Sequence, residues 1–322
     1  MNQFTFADLF AGIGGMRIGF ESAGGTCVLT SEWDRFARET YLANWSDDPK
    51  GHSWVMDVRD ITRSHVPTPK RHLDVIVAGF PCQPYSIAGL RQGLKDERGG
   101  DIFTSLLRIL KELKPKVFVL ENVKGIIGHD QGRTFEYMKQ QLEQCGYLTT
   151  FEVMNSMTHA NIPQNRERVF IVGFRSSESF ARFAFPKKIA LTKTIQDCLE
   201  TKPVDKSFYY DDRFKVYDRL KSEIQKSTTL YQWRRQYVRE NMSEVCPTLT
   251  ANMGSGGHNV PLLRDAVGIR KLTPRETLNF QGFPRSFKTP TSMSSSHLYH
   301  QAGNSVTVPL IRRLAKEIAK VL

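Results

Sequence analysis

Residues that could do chemistry follow several short apolar runs of the sequence. The run VIVAGF (75–80) leads into Pro81 and Cys82, and the run KVFVL leads into Glu121 and Asn122. Proline has no N–H to donate to a strand ladder, so Pro81 ends the strand and places the thiol in a loop. A thiol that faces an acid is suited to nucleophilic catalysis. The alternative role for a lone cysteine is that of a small buried apolar residue.

A glycine turn, FAGIGG (10–15), follows the first apolar run, and Glu32 comes about 20 residues after the turn begins. This spacing resembles the start of a dinucleotide-binding fingerprint, in which the acid binds ribose hydroxyls. The third glycine of that fingerprint would be residue 17, which is an arginine here. A nucleoside cofactor without a pyrophosphate, such as S-adenosylmethionine, therefore fits better than NAD. The alternative is a purely structural turn with a surface glutamate at position 32.

The elements that must position these residues alternate along the first 175 residues. Strands are predicted at 4–10, 27–30, 73–80, 116–121 and 168–174. Helices are predicted at 16–23, from an Asp34 N-cap through Tyr41, along the stripe Phe103, Leu106, Leu107, Leu110 and Leu113, and along Phe135, Met138 and Leu142 up to Gly146. Such alternation predicts an α/β fold with a mostly parallel, doubly wound sheet.

Ligands of doubly wound sheets bind beyond the carboxyl ends of the strands. In this sequence five successive strand ends carry a glycine turn, an acid or a thiol, with Trp33 beside Glu32 and Asp57 after a short third segment. Each feature alone is common in proteins. Together they predict one site.

Composition narrows the classes of function. The chain of 322 residues has 45 Lys and Arg against 33 Asp and Glu, a net charge of +12 that favours a polyanionic partner. We expect no membrane segment, no secretory signal and a cytoplasmic location. The cysteines are odd in number and form no CxxC pair, which argues against a disulfide framework and a metal site; they are Cys27, Cys82, Cys145, Cys198 and Cys246.

Six stretches in this order resemble the bacterial DNA (cytosine-5)-methyltransferases, in particular the Dcm-like, restriction-modification type. They are DLFAGIGG, SEWD, GFPCQPYS, ENV, QNRER and QAGNSV, and the resemblance spans about Phe6 to Leu314. It implies a Rossmann-like catalytic domain and a smaller, irregular target-recognition domain. The domain limits that we predict are 1–185 plus 300–322 for the former and 186–299 for the latter.

The resemblance assigns catalytic roles by position. Cys82 matches the nucleophile that adds to C6 of cytosine, and Glu121 matches the acid that contacts N3 and the exocyclic amine. Arg166 and Arg168 match arginines that hold the flipped base and its backbone. The positions expected to bind S-adenosylmethionine are Phe10, Gly12, Ile13, Gly14, Gly15, Glu32, Trp33, Asp57, Val58, Pro81, Asn304 and Ser305.

Residues 186–275 lose the strand–helix alternation and mix aromatic with basic residues, as in YQWRRQYVRE (231–240). We expect loops here that fit a groove of double-stranded DNA, with Trp233, Arg234, Arg235 and Arg239 near phosphates or base edges. A basic amphipathic surface is the alternative. The resemblance adds Thr248 and Leu249, and the further residues expected at DNA are Gln83, Ser86 and Thr250.

Three rival functions stay open at this point. A tRNA cytosine-5 methyltransferase of the same fold would carry the same PCQ, ENV and QxRxR elements, and the others are a catalytically silent DNA-binding protein and an NAD oxidoreductase. From the resemblance we further expect a monomer that acts near the bacterial nucleoid, and a cognate restriction endonuclease as a candidate partner.

Overall fold

A computed structural model of the chain describes residues 3–46, 48, 51–66, 73–81, 100–234, 236–254 and 259–322. The chain divides into two compact units. The first unit consists of residues 1–154, 167–187 and 310–322, and the second consists of residues 155–166 and 188–309. Cys82, Gln83, Ser86 and Arg235 lie outside the described residues.

The first unit is built on one large sheet flanked by helices. Its strands are β1 (Phe4–Leu9), β2 (Gly25–Ser31), β3 (Ser53–Val55), β4 (Val75–Gly79), β5 (Val117–Val123), β6 (Leu148–Asn155) and, after a β7 that belongs to the second unit, β8 (Glu167–Phe174). Its helices are α1 (Gly15–Glu21), α2 (Arg35–Leu42), α3 (Gly100–Leu113), α4 (Arg133–Gln144), α6 (Ser177–Arg182) and α10 (Val308–Ala319).

The strand order of this sheet is β3-β2-β1-β4-β5-β8-β6. Strand β1 pairs in parallel with both β2 and β4, and β4 pairs in parallel with β5. The predicted α/β fold with a mostly parallel sheet is therefore confirmed, although β8 runs antiparallel to β5. The chain reverses its direction of travel across the sheet between β1 and β4, and such a reversal is where α/β sheets bind ligands.

The core of the first unit lies where the periodicity of apolar residues predicts it. The predicted stripes on α3 and α4 are both buried, in one cluster with side chains of β4 such as Ile76. Asp34 caps α2 as predicted, since its carboxylate accepts a hydrogen bond from the Ala37 N–H at 2.6 Å. Gly146, two residues after α4, has a φ of 86°, a conformation that glycine adopts without steric cost.

The second unit holds two small sheets and four helices among its described residues. Its strands are β7 (Gln164–Asn165), β9 (Tyr231–Arg234), β10 (Tyr237–Glu240), β11 (Cys246–Pro247), β12 (Leu262–Arg264) and β13 (Ile269–Lys271). They form sheets of order β10-β9-β12-β13 and β11-β7. The helices are α5 (Ser156–His159), α7 (Tyr217–Glu223), α8 (Pro274–Phe280) and α9 (Ser295–Asn304).

The stretch 231–240, where we expected loops, forms an antiparallel hairpin of β9 and β10. The prediction of loops was wrong here because the stretch alternates with a period of two. Tyr231 and Trp233 point into an apolar cluster, whereas Arg234 and Arg239 are exposed. This alternation is the pattern of a strand with one buried face.

The division into units differs from the predicted domain limits at residues 155–166 and 300–309, which belong to the second unit. A buried amide network accounts for the first difference. Gln164 donates to the Phe280 carbonyl at 2.7 Å, accepts from the Leu249 N–H at 3.2 Å and also donates to Gln281 at 3.2 Å. A buried amide whose partners all lie in the second unit holds its segment there, because leaving them unpaired is costly.

Candidate active site

The glycine turn and Glu32 come together as the spacing predicted. Phe10, Gly12 and Gly14 have φ values of 56°, 55° and 85°, so the chain turns sharply between β1 and α1. The Glu32 carboxylate accepts hydrogen bonds from the Gly12 N–H and the Asp34 N–H, both at 2.7 Å. Burial raises the pKa of Glu32, and these two backbone hydrogen bonds oppose the rise. Glu32 therefore holds the turn in shape from the end of β2.

Gly14 is required at this turn for two independent reasons. Its φ is in the left-handed region, and a Cβ added there would lie 2.3 Å from the Trp45 ring. Gly15 begins α1, and Ile13 is buried in the core. The backbone of this turn is therefore held close to its neighbours with no room for larger side chains at position 14.

Arg17, which stands where a dinucleotide fingerprint has its third glycine, is buried and engaged. It donates to the Tyr41 hydroxyl at 3.1 Å and to Glu21 at 2.6 Å, and it forms an ion pair with Asp48. Its guanidinium also lies 4.8 Å from the centre of the Trp45 ring. The side chain is thus part of the packing of α1, which weakens the NAD alternative on structural grounds.

Trp33 and Asp57 are connected by an arginine that the sequence reasoning missed. The Trp33 side chain is 68% exposed, and the Arg59 guanidinium lies 5.5 Å from its ring centre. Arg59 also donates to Asp57 at 2.6 and 2.9 Å, and this contact lowers the pKa of Asp57. Val58 is buried beneath them. The sequence signal for this contact was a basic residue two positions after a candidate acid, and that signal is weak.

Glu121 and Arg168 form the second pair of predicted site residues that the fold brings together. Glu121 lies opposite Gly79, the last residue of β4, and is 8% exposed. The antiparallel register places Arg168 opposite Val123, and the Arg168 Nε lies 3.1 Å from Glu121 Oε1. Residues offset by two across a strand pair share a face, which explains the contact.

Asn122, the residue after Glu121, is hydrogen-bonded to the segment that leads to Cys82. Its Nδ2 donates to the Phe80 carbonyl at 3.1 Å. Pro81 follows Phe80 and is exposed. The described chain after β4 thus ends beside Glu121, one residue before the predicted nucleophile.

Arg166 has different surroundings from Arg168, although the two are separated by one residue. It is 2% exposed and donates to three backbone carbonyls of the second unit. The acceptors are Leu249 at 2.7 Å, Gly303 at 3.0 Å and Ser305 at 2.6 Å. The structure therefore shows Arg166 joining segments of the second unit.

The remaining cofactor candidates, Asn304 and Ser305, lie in the second unit. The exposed Asn304 side chain is hydrogen-bonded to His300 Nε2 at 3.0 Å, and Ser305 is buried. Two residues expected at DNA turn inward. Leu249 is 1% exposed in a core cluster, and Trp233 packs on another. Trp233 lies on the buried face of the alternating hairpin, whereas Leu249 packs in a cluster that also contains Cys246 and Met253.

A polar cavity of about 390 Å³ lies within the second unit. It brings together four residues that were expected at DNA, which are Arg234, Arg239, Thr248 and Thr250. Amides make up half of its described lining, from Asn165, Gln232, Asn241, Asn252 and Asn259. Asn165 and Gln232 were missed by the sequence reasoning, since isolated amides carry no spacing signal.

Two kinds of feature are absent from the described residues. Those residues contain no group of three or more His, Cys, Asp or Glu side chains placed to hold a metal ion. Over the same part of the chain, every helix is too short or too polar to cross a membrane.

The chain is similar to known proteins in family, sequence and structure. The family model described as C-5 cytosine-specific DNA methylase matches residues 4–320. The Type II methyltransferase M.Bsp6I of Bacillus sp. (strain RFL6) is 48% identical over 321 residues, covering 99% of both chains. M.NlaX of Neisseria lactamica is 38% identical and covers 99% of this chain and 97% of its own.

Solved structures agree on the fold. A mutant of Spodoptera frugiperda DNMT2 aligns with a TM-score of 0.75 at 19% identity, covering 98% of this chain and 99% of that one. A putative DNA modification methyltransferase encoded within an E. coli prophage aligns with a TM-score of 0.70 at 20% identity, covering 99% of each.

Proposed function

The chain belongs to the C-5 cytosine-specific DNA methylases, and from this premise we propose how its own residues carry out the reaction. The protein methylates C5 of cytosine in DNA. In our proposal Cys82 is the nucleophile, Glu121 acts on the base and the first unit binds S-adenosylmethionine. The observation that carries this assignment is the Glu121–Arg168 pair, in which Glu121 lies opposite Gly79 at the end of β4, the strand that leads to Cys82.

Cytosine in a duplex is stacked, so the target base must leave the helix before its C6 can be attacked. The Cys82 thiolate then adds to C6, and C5 becomes electron-rich. After C5 has gained its methyl group, the C5 proton is lost and the thiol leaves by elimination. The thiolate is the reactive form of cysteine, so its pKa in the site sets the rate of the first step.

Glu121 is placed to hold the base during these steps. The Arg168 Nε lies 3.1 Å from its Oε1, and its Oε2 lies toward the end of β4, 3.6 Å from where a Cβ of Gly79 would be. In our proposal this oxygen contacts N3 and the exocyclic amine of cytosine, and Arg168 keeps the carboxylate in orientation. Charge-assisted hydrogen bonds of this kind are short and directional.

The groups around the glycine turn fit S-adenosylmethionine, which supplies an electrophilic methyl group when bound. The Glu32 oxygens each accept one backbone N–H, and a carboxylate oxygen has a second lone pair for a ribose hydroxyl. The exposed ring of Trp33 offers an apolar face to the adenine, and Asp57 offers an acceptor beside it.

The second unit is proposed to bind the DNA duplex through its polar cavity. We further propose that the protein acts as a monomer in the cytoplasm, where its DNA is, and that a cognate restriction endonuclease accompanies it. Support for the last point comes from the names of the relatives, which are Type II methyltransferases.

Bisulfite sequencing tests the proposal directly. An unmethylated plasmid is incubated with the protein and S-adenosylmethionine, with Cys82→Ser as the matched control. Protected cytosines at one short recurring motif, absent with the variant, are expected. A parallel incubation with tRNA separates the substrate classes, and methylation of tRNA without protected plasmid cytosines would contradict DNA as the substrate.

A further inference from the structure

The β9–β10 hairpin presents one polar face, and this face borders the cavity of the second unit. The register pairs Gln232 with Arg239 and Arg234 with Tyr237. Because side chains alternate along a strand, these four residues share the face opposite the buried Tyr231 and Trp233. Gln232, Arg234 and Arg239 all line the cavity. A two-stranded ribbon with such a face has the dimensions that the major groove of DNA admits.

The acids that flank this face are engaged elsewhere. Glu240 forms an ion pair with Lys226 at 2.6 Å, and Glu223 forms one with Arg219 at 2.6 Å. Acidic side chains are absent from the described lining of the cavity. The exposed guanidinium of Arg239 is thus set among amides and hydroxyls, where a polar ligand edge can reach it.

Arg234 decides which end of the Gln232 amide faces outward. Its Nη2 lies 3.0 Å from Gln232 Oε1. A guanidinium can only donate, so the amide must turn its oxygen to Arg234, and its Nε2 remains as a donor. The Gln232 Nε2 and the Arg239 guanidinium are therefore donors side by side across the strand pair.

We propose that Gln232 and Arg239 read a guanine of the recognition site in the major groove, with Arg234 as the residue that orients Gln232. Guanine presents two acceptors there, N7 and O6, whereas adenine presents one acceptor and the N6 donor group. Two donors side by side match the first pattern, whereas in the second pattern one of them meets another donor. This assignment rests on the proposed DNA methylation and deepens it by naming a base.

The hairpin is braced from its apolar side, as a reading surface needs to be. Glu223 of α7 accepts a hydrogen bond from the Val238 N–H at 3.2 Å, and the Arg219 guanidinium lies 5.8 Å from the Trp233 ring centre. The Tyr231 hydroxyl accepts from the Lys226 N–H at 3.0 Å. These contacts fix the hairpin without using any atom of its polar face.

The test uses the full-length enzyme and duplexes randomised around the motif that bisulfite sequencing gives for the wild type. Relative methylation rates are measured for every base at every position. Arg239→Met is expected to reduce selection for guanine at one position by roughly 10- to 100-fold, the range for loss of one good base contact. Arg213→Gln, which removes one positive charge outside the cavity, is the matched control and keeps the wild-type selectivity.

Two further variants distinguish a change in base recognition from a loss of folding. Arg234→Met frees the Gln232 amide to rotate, so adenine, which glutamine can bind with both its donor and its acceptor, is expected to be accepted at the same position. Gln232→Glu replaces the donor with acceptors and is expected to shift preference there toward cytosine, whose N4 is a donor. If Arg239→Met fails to fold, these two variants decide the question.

Several outcomes would overturn the assignment. They are a wild-type motif whose only guanine is the partner of the methylated cytosine, selectivity of Arg239→Met and Gln232→Glu that stays within about 3-fold of wild type at every guanine, or a uniform loss of rate across all sequences with a smaller salt dependence, which marks a phosphate contact. A wild-type enzyme that methylates no DNA at all would instead contradict the proposed function.

Discussion

Replacement of each arginine of the QNRER stretch by methionine is expected to have a different effect. Arg166→Met should mainly lower stability, and Arg168→Met should mainly lower turnover. Arg166 donates to the carbonyls of Leu249, Gly303 and Ser305 at 2.6 to 3.0 Å while it is 2% exposed. A hydrogen bond from a charged donor contributes about 1.5–3 kcal/mol, and each buried acceptor left unpaired costs about 1–3 kcal/mol. Neighbouring groups relax in part, so we expect Arg166→Met to lower the free energy of unfolding by about 3–5 kcal/mol.

Arg168→Met is the matched comparison. Its guanidinium is 15% exposed and pairs with Glu121 at 3.1 Å, so the expected loss of stability is about 1–2 kcal/mol. The orientation of Glu121 depends on this pair, and turnover should therefore fall by about 100-fold or more, as it does when a general acid or its positioning partner is lost.

Urea unfolding followed by far-UV circular dichroism measures the stability of both variants, and single-turnover methylation at low temperature measures their chemistry. Two units can unfold in separate steps, so unfolding is also followed by tryptophan fluorescence, to which Trp233 contributes from the second unit. If Arg166→Met kept its stability within about 1 kcal/mol of wild type while it lost turnover, the reasoning would be refuted, and Arg166 would act on the substrate.

Three further expectations follow from the first unit. Glu32→Ala should weaken S-adenosylmethionine binding by about 10-fold or more, since it removes the carboxylate that holds the turn and that we propose to bind the ribose; calorimetry that shows unchanged affinity would exclude this role. Burial raises the pKa of Asp8 well above its usual value, although the charge of Arg17 opposes the rise. The folded state therefore holds the Asp8 proton more tightly than the unfolded state does. As a result, the free energy of unfolding falls as pH rises from about 4 through the folded pKa. Asp8→Asn should therefore flatten the change in urea midpoint between pH 5 and pH 8 and raise the midpoint at pH 8, and an unaltered pH profile would count against it. Burial raises the pKa of the Cys27 thiol to about 12 and also raises the pKa of the other described thiols. Because the thiolate is the form that reacts, brief iodoacetamide treatment at pH 7.5 should label Cys82 first. Mass spectrometry of tryptic peptides measures the order of labelling.

Local patterns in the sequence were sufficient to place the first half of the site. The short apolar runs and the helical stripes depend on neighbouring residues, and they correctly predicted the strands that carry the glycine turn, Glu32 and Glu121. The Asp34 N-cap could also be predicted from the sequence, because a capping side chain accepts a hydrogen bond from a backbone N–H of its own helix.

Contacts between distant segments could not be read in the same way. The Arg166 guanidinium meets Leu249 across 83 positions of the chain and Ser305 across 139, and no local pattern carries that information. Its neighbour Arg168 was expected to share its role, yet Arg168 lies in β8 and pairs with Glu121, whereas Arg166 precedes that strand and binds carbonyls of the second unit. The β9–β10 hairpin was missed because charged and aromatic residues were weighed by composition, while their alternation marked a half-buried strand.

The most direct test of the central claim is covalent trapping of Cys82 on DNA. A duplex that carries 5-fluorocytosine at the methylated position is incubated with the enzyme and S-adenosylmethionine. Fluorine at C5 cannot leave as the proton does, so elimination is blocked. We expect a stable protein–DNA adduct whose tryptic peptide carries the base on Cys82, and no adduct with Cys82→Ser. A wild-type enzyme that methylates the unmodified duplex without forming this adduct, or an adduct on another residue, would contradict this claim.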